Sequence, residues 1–259
     1  MIPPSIKIKP CDAGPSNLPA QLEVTCHFFG YYFSNISKPY VENWEQEHAL
    51  TRLILGFKDF DTGISKLFKY ILELFISRNV FNKNSVRTLW WNGLKDDHNI
   101  SRIGFVAIPP HDINKESPIK KLISEFVADN LNYYDCSNLI IRTKKITKGT
   151  RSENKRYDAL NINNSALYLL EKVDQIIILD DVYTTGTSMK AAAYHISDII
   201  EERMIDIQCL AFAKTVAENE AKEKLATNLD DNSIFFPQNI ENASSSDRKS
   251  FIKSLENIN

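Results

Sequence analysis

Two adjacent carboxylates, Asp180 and Asp181, stand three residues before a run of small hydroxyl residues, Thr184, Thr185, Gly186, Thr187 and Ser188. A hydroxyl-rich turn with one glycine lets the backbone approach a ligand closely and adds donors without bulk. If a helix follows, its unpaired N–H groups and its dipole favour an anion at that turn. Residues 184–188 therefore suit one phosphate. A pair of acids beside a phosphate suits the hydroxyls of a sugar, or a hard cation such as Mg²⁺. Phosphate, polyol and cation together describe a phosphorylated ribose. Two acids that merely end a strand and cap a helix would explain Asp180 and Asp181, but not the Thr-Thr-Gly-Thr-Ser that follows. A P-loop is excluded, because the chain contains no G-x-x-x-x-G-K-[ST].

The elements that must carry these residues are legible on both sides. Residues 176–179, Ile-Ile-Ile-Leu, form an apolar, largely β-branched run that reads as a strand buried on both faces. Residues 189–200 have helical character. Strand, acids, turn and helix make the unit that opens a ligand crevice at the carboxyl edge of a parallel sheet.

The stretch LDDVYTTGTS, residues 179–188, closely resembles the phosphoribosyl pyrophosphate (PRPP) motif of type I phosphoribosyltransferases. The resemblance implies an α/β fold with a parallel sheet and helices on both faces. It implies PRPP as ligand and Mg²⁺ as cofactor, with Asp180 and Asp181 on the ribose hydroxyls and the metal. Thr184, Thr185, Gly186, Thr187 and Ser188 would anchor the 5′-phosphate. In that family the strand before the pyrophosphate loop often ends in prolines. Here RIGFVAIPP, residues 102–110, puts the loop at 109–115, with Pro109, His111 and Lys115 as diphosphate contacts. Residues 143–164 are polar and basic, with Lys144, Lys145, Lys148, Arg151, Lys155 and Arg156. A solvated loop is the plain reading. The resemblance makes it the hood loop that closes over the diphosphate, with Lys148 and Arg151 as catalytic cations. Thr184 stands where enzymes for 6-oxopurines usually carry an aspartate base, which disfavours that acceptor class.

Upstream, residues 42–57 and 64–76 read as amphipathic helices, separated by Leu-Gly-Phe-Lys at 55–58. That layout resembles the competence protein F branch of the family. The four-cysteine zinc ribbon usual at the start of that branch is missing. Lys58 itself reads as a solvated helix-end lysine. Residues 22–33 read as one or two strands, as in a hairpin, after a Pro-rich arm at 1–19. Residues 88–94 form an aromatic patch in which Trp90 and Trp91 could stack on a base. Residues 118–131 read as a helix with Leu131 facing in, 139–142 as the next sheet strand, 165–171 as a short helix and 206–215 as a further strand. The organisation expected is an N-terminal extension or hood region at 1–100, a core at 101–215 and a helical C-terminal extension at 216–259.

The bulk numbers fit this reading. The 259 residues carry a formal net charge of -2, which does not encourage broad nucleic-acid binding. The four cysteines, Cys11, Cys26, Cys136 and Cys209, are scattered and contain no C-x-x-C. A cytoplasmic protein with reduced thiols is expected. No stretch is long and apolar enough to span a membrane. Two functions remain open. One is a phosphoribosyltransferase that moves phosphoribose to or from a base-like acceptor. The other is a catalytically silent PRPP- or nucleotide-sensing regulatory subunit, or an assembly subunit with a vestigial pocket, acting with a protein partner, nucleic acid or a second copy of the chain.

Overall fold

The run at 176–179 occupies the middle of a sheet in the computed structural model, which describes residues 5–8, 24–28, 31–32, 49–76, 102–147, 153–200 and 205–216. The strands are β1 (Ser5–Ile8), β2 (Val24–Phe28), β3 (Tyr31–Tyr32), β4 (Ile103–Ala107), β5 (Tyr133–Asp135), β6 (Ile140–Arg142), β7 (Leu160–Ile162), β8 (Gln175–Tyr183) and β9 (Asp206–Thr215). The helices are α1 (Ala49–Lys58), α2 (Thr62–Phe75), α3 (Pro118–Ala128), α4 (Glu153–Tyr157) and α5 (Thr187–Ile199), with a 3-10 segment at Asn164–Lys172. The main sheet runs β1-β2-β9-β8-β4-β5. Five of its strands are parallel, from β2 to β5, and β1 closes one edge antiparallel to β2. β3 pairs with β9 beyond the end of β2.

Both faces of this sheet are covered. In β8, Ile176 and Ile178 point to a layer built from α5, the 3-10 segment and the β6–β7 hairpin. Ile177 and Leu179 point to the opposite layer, built from α1, α2 and α3. All four are fully buried, which is why the run shows no polar alternation. Phe57 of α1, Phe68 of α2 and Phe212 of β9 meet edge-on or tilted, with centroids 4.2 to 5.6 Å apart. The helices at 49–76 thus share one apolar layer with the sheet. Asp61 caps α2 through the Ile64 N–H, and Ser117 caps α3 ahead of Pro118 in its first turn.

β4 leads through α3 to β5 on one side. Its neighbour β8 leads through α5 to β9 on the other side, over the opposite face. Where two adjacent parallel strands send the chain apart, a crevice opens at their carboxyl ends. Residues 109–115 and 184–188 leave the sheet there.

Several elements differ from the sequence expectation. β2 and β3 do not form a hairpin with each other; both run parallel to β9. Residues 5–8 of the Pro-rich arm pair as β1. Residues 139–142 do not supply the next sheet strand. β6 forms a separate antiparallel hairpin with β7, and the sheet strand is the short β5. Residues 143–164 are accordingly not one loop, since they include α4 and β7. α3 stops at Ala128, which leaves Leu131 99% exposed rather than facing in. Residues 42–48, 88–94 and 217–259 lie outside the described residues, and with them Trp90, Trp91 and the expected C-terminal helices. Among the described residues no helix is long and apolar enough to cross a membrane.

Candidate functional site

β8 continues through both acids to Tyr183, so Asp180 and Asp181 lie inside its last residues rather than after it. The face pattern changes there. Val182 packs toward α1 and α2, and Tyr183 toward α5. The carboxylates accept from the chain itself: the Asp181 N–H donates to Asp180 Oδ1 at 2.9 Å, and the Val182 N–H to Asp181 Oδ1 at 2.7 Å. Both side chains are half-buried at the carboxyl edge of the sheet.

Their surroundings separate them. Asp181 forms an ion pair with Lys58, the last residue of α1, at 3.0 Å. The Lys58 ammonium also lies over the Tyr32 ring, 5.4 Å from its centroid. Burial works against the lysine's charge, but the charge and hydrogen bond of Asp181 outweigh it and hold its pKa above the ordinary value. Asp180 is pushed well above the carboxylate range. Burial is the main cause, followed by the charge of Asp181; the Asp181 N–H and Lys58 only partly offset this.

The turn after β8 prepares a helix start without capping it. Gly186 holds φ 71° and ψ 0°, a left-handed conformation that favours glycine. A Cβ there would lie 2.5 Å from the Tyr183 ring. No side chain caps α5. Thr185 and Thr187 bond through their hydroxyls at 3.1 Å, and Thr184 bonds Thr215 of β9 at the same distance. Thr184 and Thr185 are exposed, while Thr187 and Ser188 are buried. The first N–H groups of α5 thus begin at a turn lined by hydroxyls, with the dipole's positive end toward it.

Two arginines from the hairpin region enter the site, Arg156 at this turn and Arg142 at the 109–115 loop. Arg156 of α4 is 9% exposed and donates to Ser188 Oγ. Arg142, at the end of β6, donates through Nε to the Pro110 carbonyl at 2.6 Å and through Nη2 to the Pro109 carbonyl at 2.9 Å. Its Nη1 is buried with no hydrogen-bond partner. Burial lowers the pKa of both guanidiniums; they repel each other at Arg142, and Asp180 opposes both shifts. Arg142 therefore ties the 109–115 loop to the surroundings of Asp180.

On the far side of that loop lies a cleft of about 700 Å³, lined by Pro110, Lys115, Ser117, Lys120, Asn138 and Arg142 among others. Lys120 bonds Asn138 at 2.8 Å. Of the residues expected to meet a diphosphate, Pro109 and Lys115 line this cleft, and His111 does not. Lys145 pairs with Asp112 at 3.2 Å, which ties residue 145 to the same loop. Lys148 and Arg151 lie outside the described residues. Lys58 is not the solvated helix-end lysine that its place in the sequence suggests, since it is paired with Asp181, and Arg142 carries no site expectation from the sequence. The only signals were a lysine closing an amphipathic helix and an arginine closing an apolar strand.

The acid pair does not fit a resident Mg²⁺. Asp181 is engaged by an ammonium, and Asp180 is in surroundings that favour its neutral form. Among the described residues no group of three or more His, Cys, Asp or Glu could hold a metal ion. The remaining thiols do not supply one either. Cys26, Cys136 and Cys209 are free and buried, and burial pushes Cys136 up to about 12.

No protein-family model matches the chain, and no curated protein matches it.

Proposed function

We propose that the protein binds PRPP at the carboxyl edge of β8 and transfers its phosphoribosyl group to or from a base-like acceptor, with diphosphate as the leaving group. One observation carries this reading. The two acids lie in the last residues of a central parallel strand, which leads into a left-handed, hydroxyl-lined turn at an uncapped helix start. That arrangement suits a sugar phosphate, and the resemblance of residues 179–188 to the PRPP motif supports the same reading.

The roles follow from position. The N–H groups at the start of α5, with the hydroxyls of residues 184–188, take the 5′-phosphate. Asp180 and Asp181 take the ribose hydroxyls. Lys115 and Arg142 line the cleft behind the 109–115 loop and supply positive charge for the diphosphate. Loss of diphosphate leaves an oxocarbenium-like ribose, so holding and charge stabilisation are the work required. Thr184, bonded to Thr215, offers a hydroxyl and no carboxylate base, which argues against 6-oxopurine acceptors.

The test is diphosphate release from PRPP with a panel of bases, alongside calorimetry of PRPP binding. Release with one base is the expected result. Asp181→Asn should weaken PRPP binding by about 1–3 kcal/mol, the scale of a charge-assisted hydrogen bond. Tight PRPP binding without release from any base would replace the enzyme with the sensing subunit. Absence of binding would remove both.

A further inference from the structure

The geometry points to Lys58 as a built-in cation of the ribose site: from the end of α1 it takes the place at Asp181 that a divalent ion would take, and it donates to the ligand's sugar oxygens. This inference rests on the proposed sugar-phosphate reading and names a residue from outside the strand–turn–helix unit.

Three observations carry it. Lys58 Nζ lies 3.0 Å from Asp181 Oδ2, so an ammonium already neutralises the second acid. Its side chain is 39% exposed, and an ammonium has three donors, of which the Asp181 bond uses one. The Tyr32 ring, 5.4 Å from the ammonium, holds the cation from a second side. Phe57, Ile54 and Leu53 already pack α1 against the sheet. A lysine held at an acid, with donors to spare at the carboxyl edge, is placed to meet a hydroxyl that the same acid accepts from. The carboxylate then accepts a hydrogen bond from the sugar O–H while the ammonium donates to a sugar oxygen. No ion needs to bridge them.

Calorimetry with ribose 5-phosphate and with inorganic phosphate tests this, in chelator and in excess Mg²⁺. The proteins are the full chain, Lys58→Met and Lys58→Arg, with folding checked by melting. The parent should bind ribose 5-phosphate equally with and without Mg²⁺. Lys58→Met should bind it about tenfold more weakly in chelator, the scale of one charge-assisted hydrogen bond. Added Mg²⁺ should restore much of that loss, because Asp181 becomes open to the metal. Inorganic phosphate should bind all three proteins alike, and Lys58→Arg should stay near the parent. A role confined to packing would not create Mg²⁺ dependence. Equal binding of ribose 5-phosphate by parent and Lys58→Met would overturn the inference alone, as would a parent that itself requires Mg²⁺. A parent that binds neither probe would remove the sugar-phosphate reading and the inference with it.

Discussion

The acids show how unlike two neighbouring residues of one type can be. Asp181 has a lysine, and Asp180 has mostly burial. The Lys58–Asp181 pair is partly exposed, so it adds only about 1 kcal/mol or less to folding. Its importance is in the site. Asp180 makes a different contribution. Its folded pKa lies above the ordinary 3.8, so the folded protein holds a proton that the unfolded chain releases. Stability from this group is fully present below 3.8 and is lost as pH rises through the folded value. Asp180→Asn should abolish that loss, so the variant should gain on the parent as pH is raised from acid to neutral. Urea midpoints across that range measure it, and parallel profiles for the two proteins would contradict it. The strand, turn and helix start that hold the motif residues were legible because each has its own residue types and spacing. Lys58 was not, since its partner is remote in sequence and a terminal helix lysine is ordinary.

At the scale of elements, the strand at 176–179, the helix after it and the strand at 206–215 could be read directly. Each buries apolar residues in a run or period that only one element satisfies. β5 could not, because Tyr133, Tyr134 and Asp135 are only half-buried and give no apolar run. The Leu-Ile-Ile-Arg at 139–142 has the composition of a sheet strand. Nothing local shows that its partner is residues 160–162. That hairpin carries α4, which is fastened to α5 by Arg156 on Ser188 and by Tyr157 stacked on His195 at 4.0 Å. His195 Nε2 also lies 3.1 Å from the Tyr157 carbonyl. His195→Ala should cost about 1 kcal/mol. Amide exchange should quicken in residues 153–162 while β8 keeps its protection. Unchanged exchange in 153–162 would mean that the stack does not hold α4.

For the whole molecule, one pairing has a consequence for synthesis. β2 lies beside β9, with Cys26 and Cys209 as register partners. The ribosome delivers Val24–Phe28 long before Asp206–Thr215 exists. Until then β2 lacks its parallel neighbour, and its Cys26 thiol, buried beside Met189 Sδ at 3.6 Å in the finished fold, has no cover. Pairings so distant in sequence form late and slowly. A nascent chain stalled before Asp206 should therefore react at Cys26 with a maleimide. One stalled after Thr215 has cleared the exit tunnel should resist it. The protein's first sheet strands wait on nearly its last, so translation, rather than any local propensity, sets the moment at which this sheet can close.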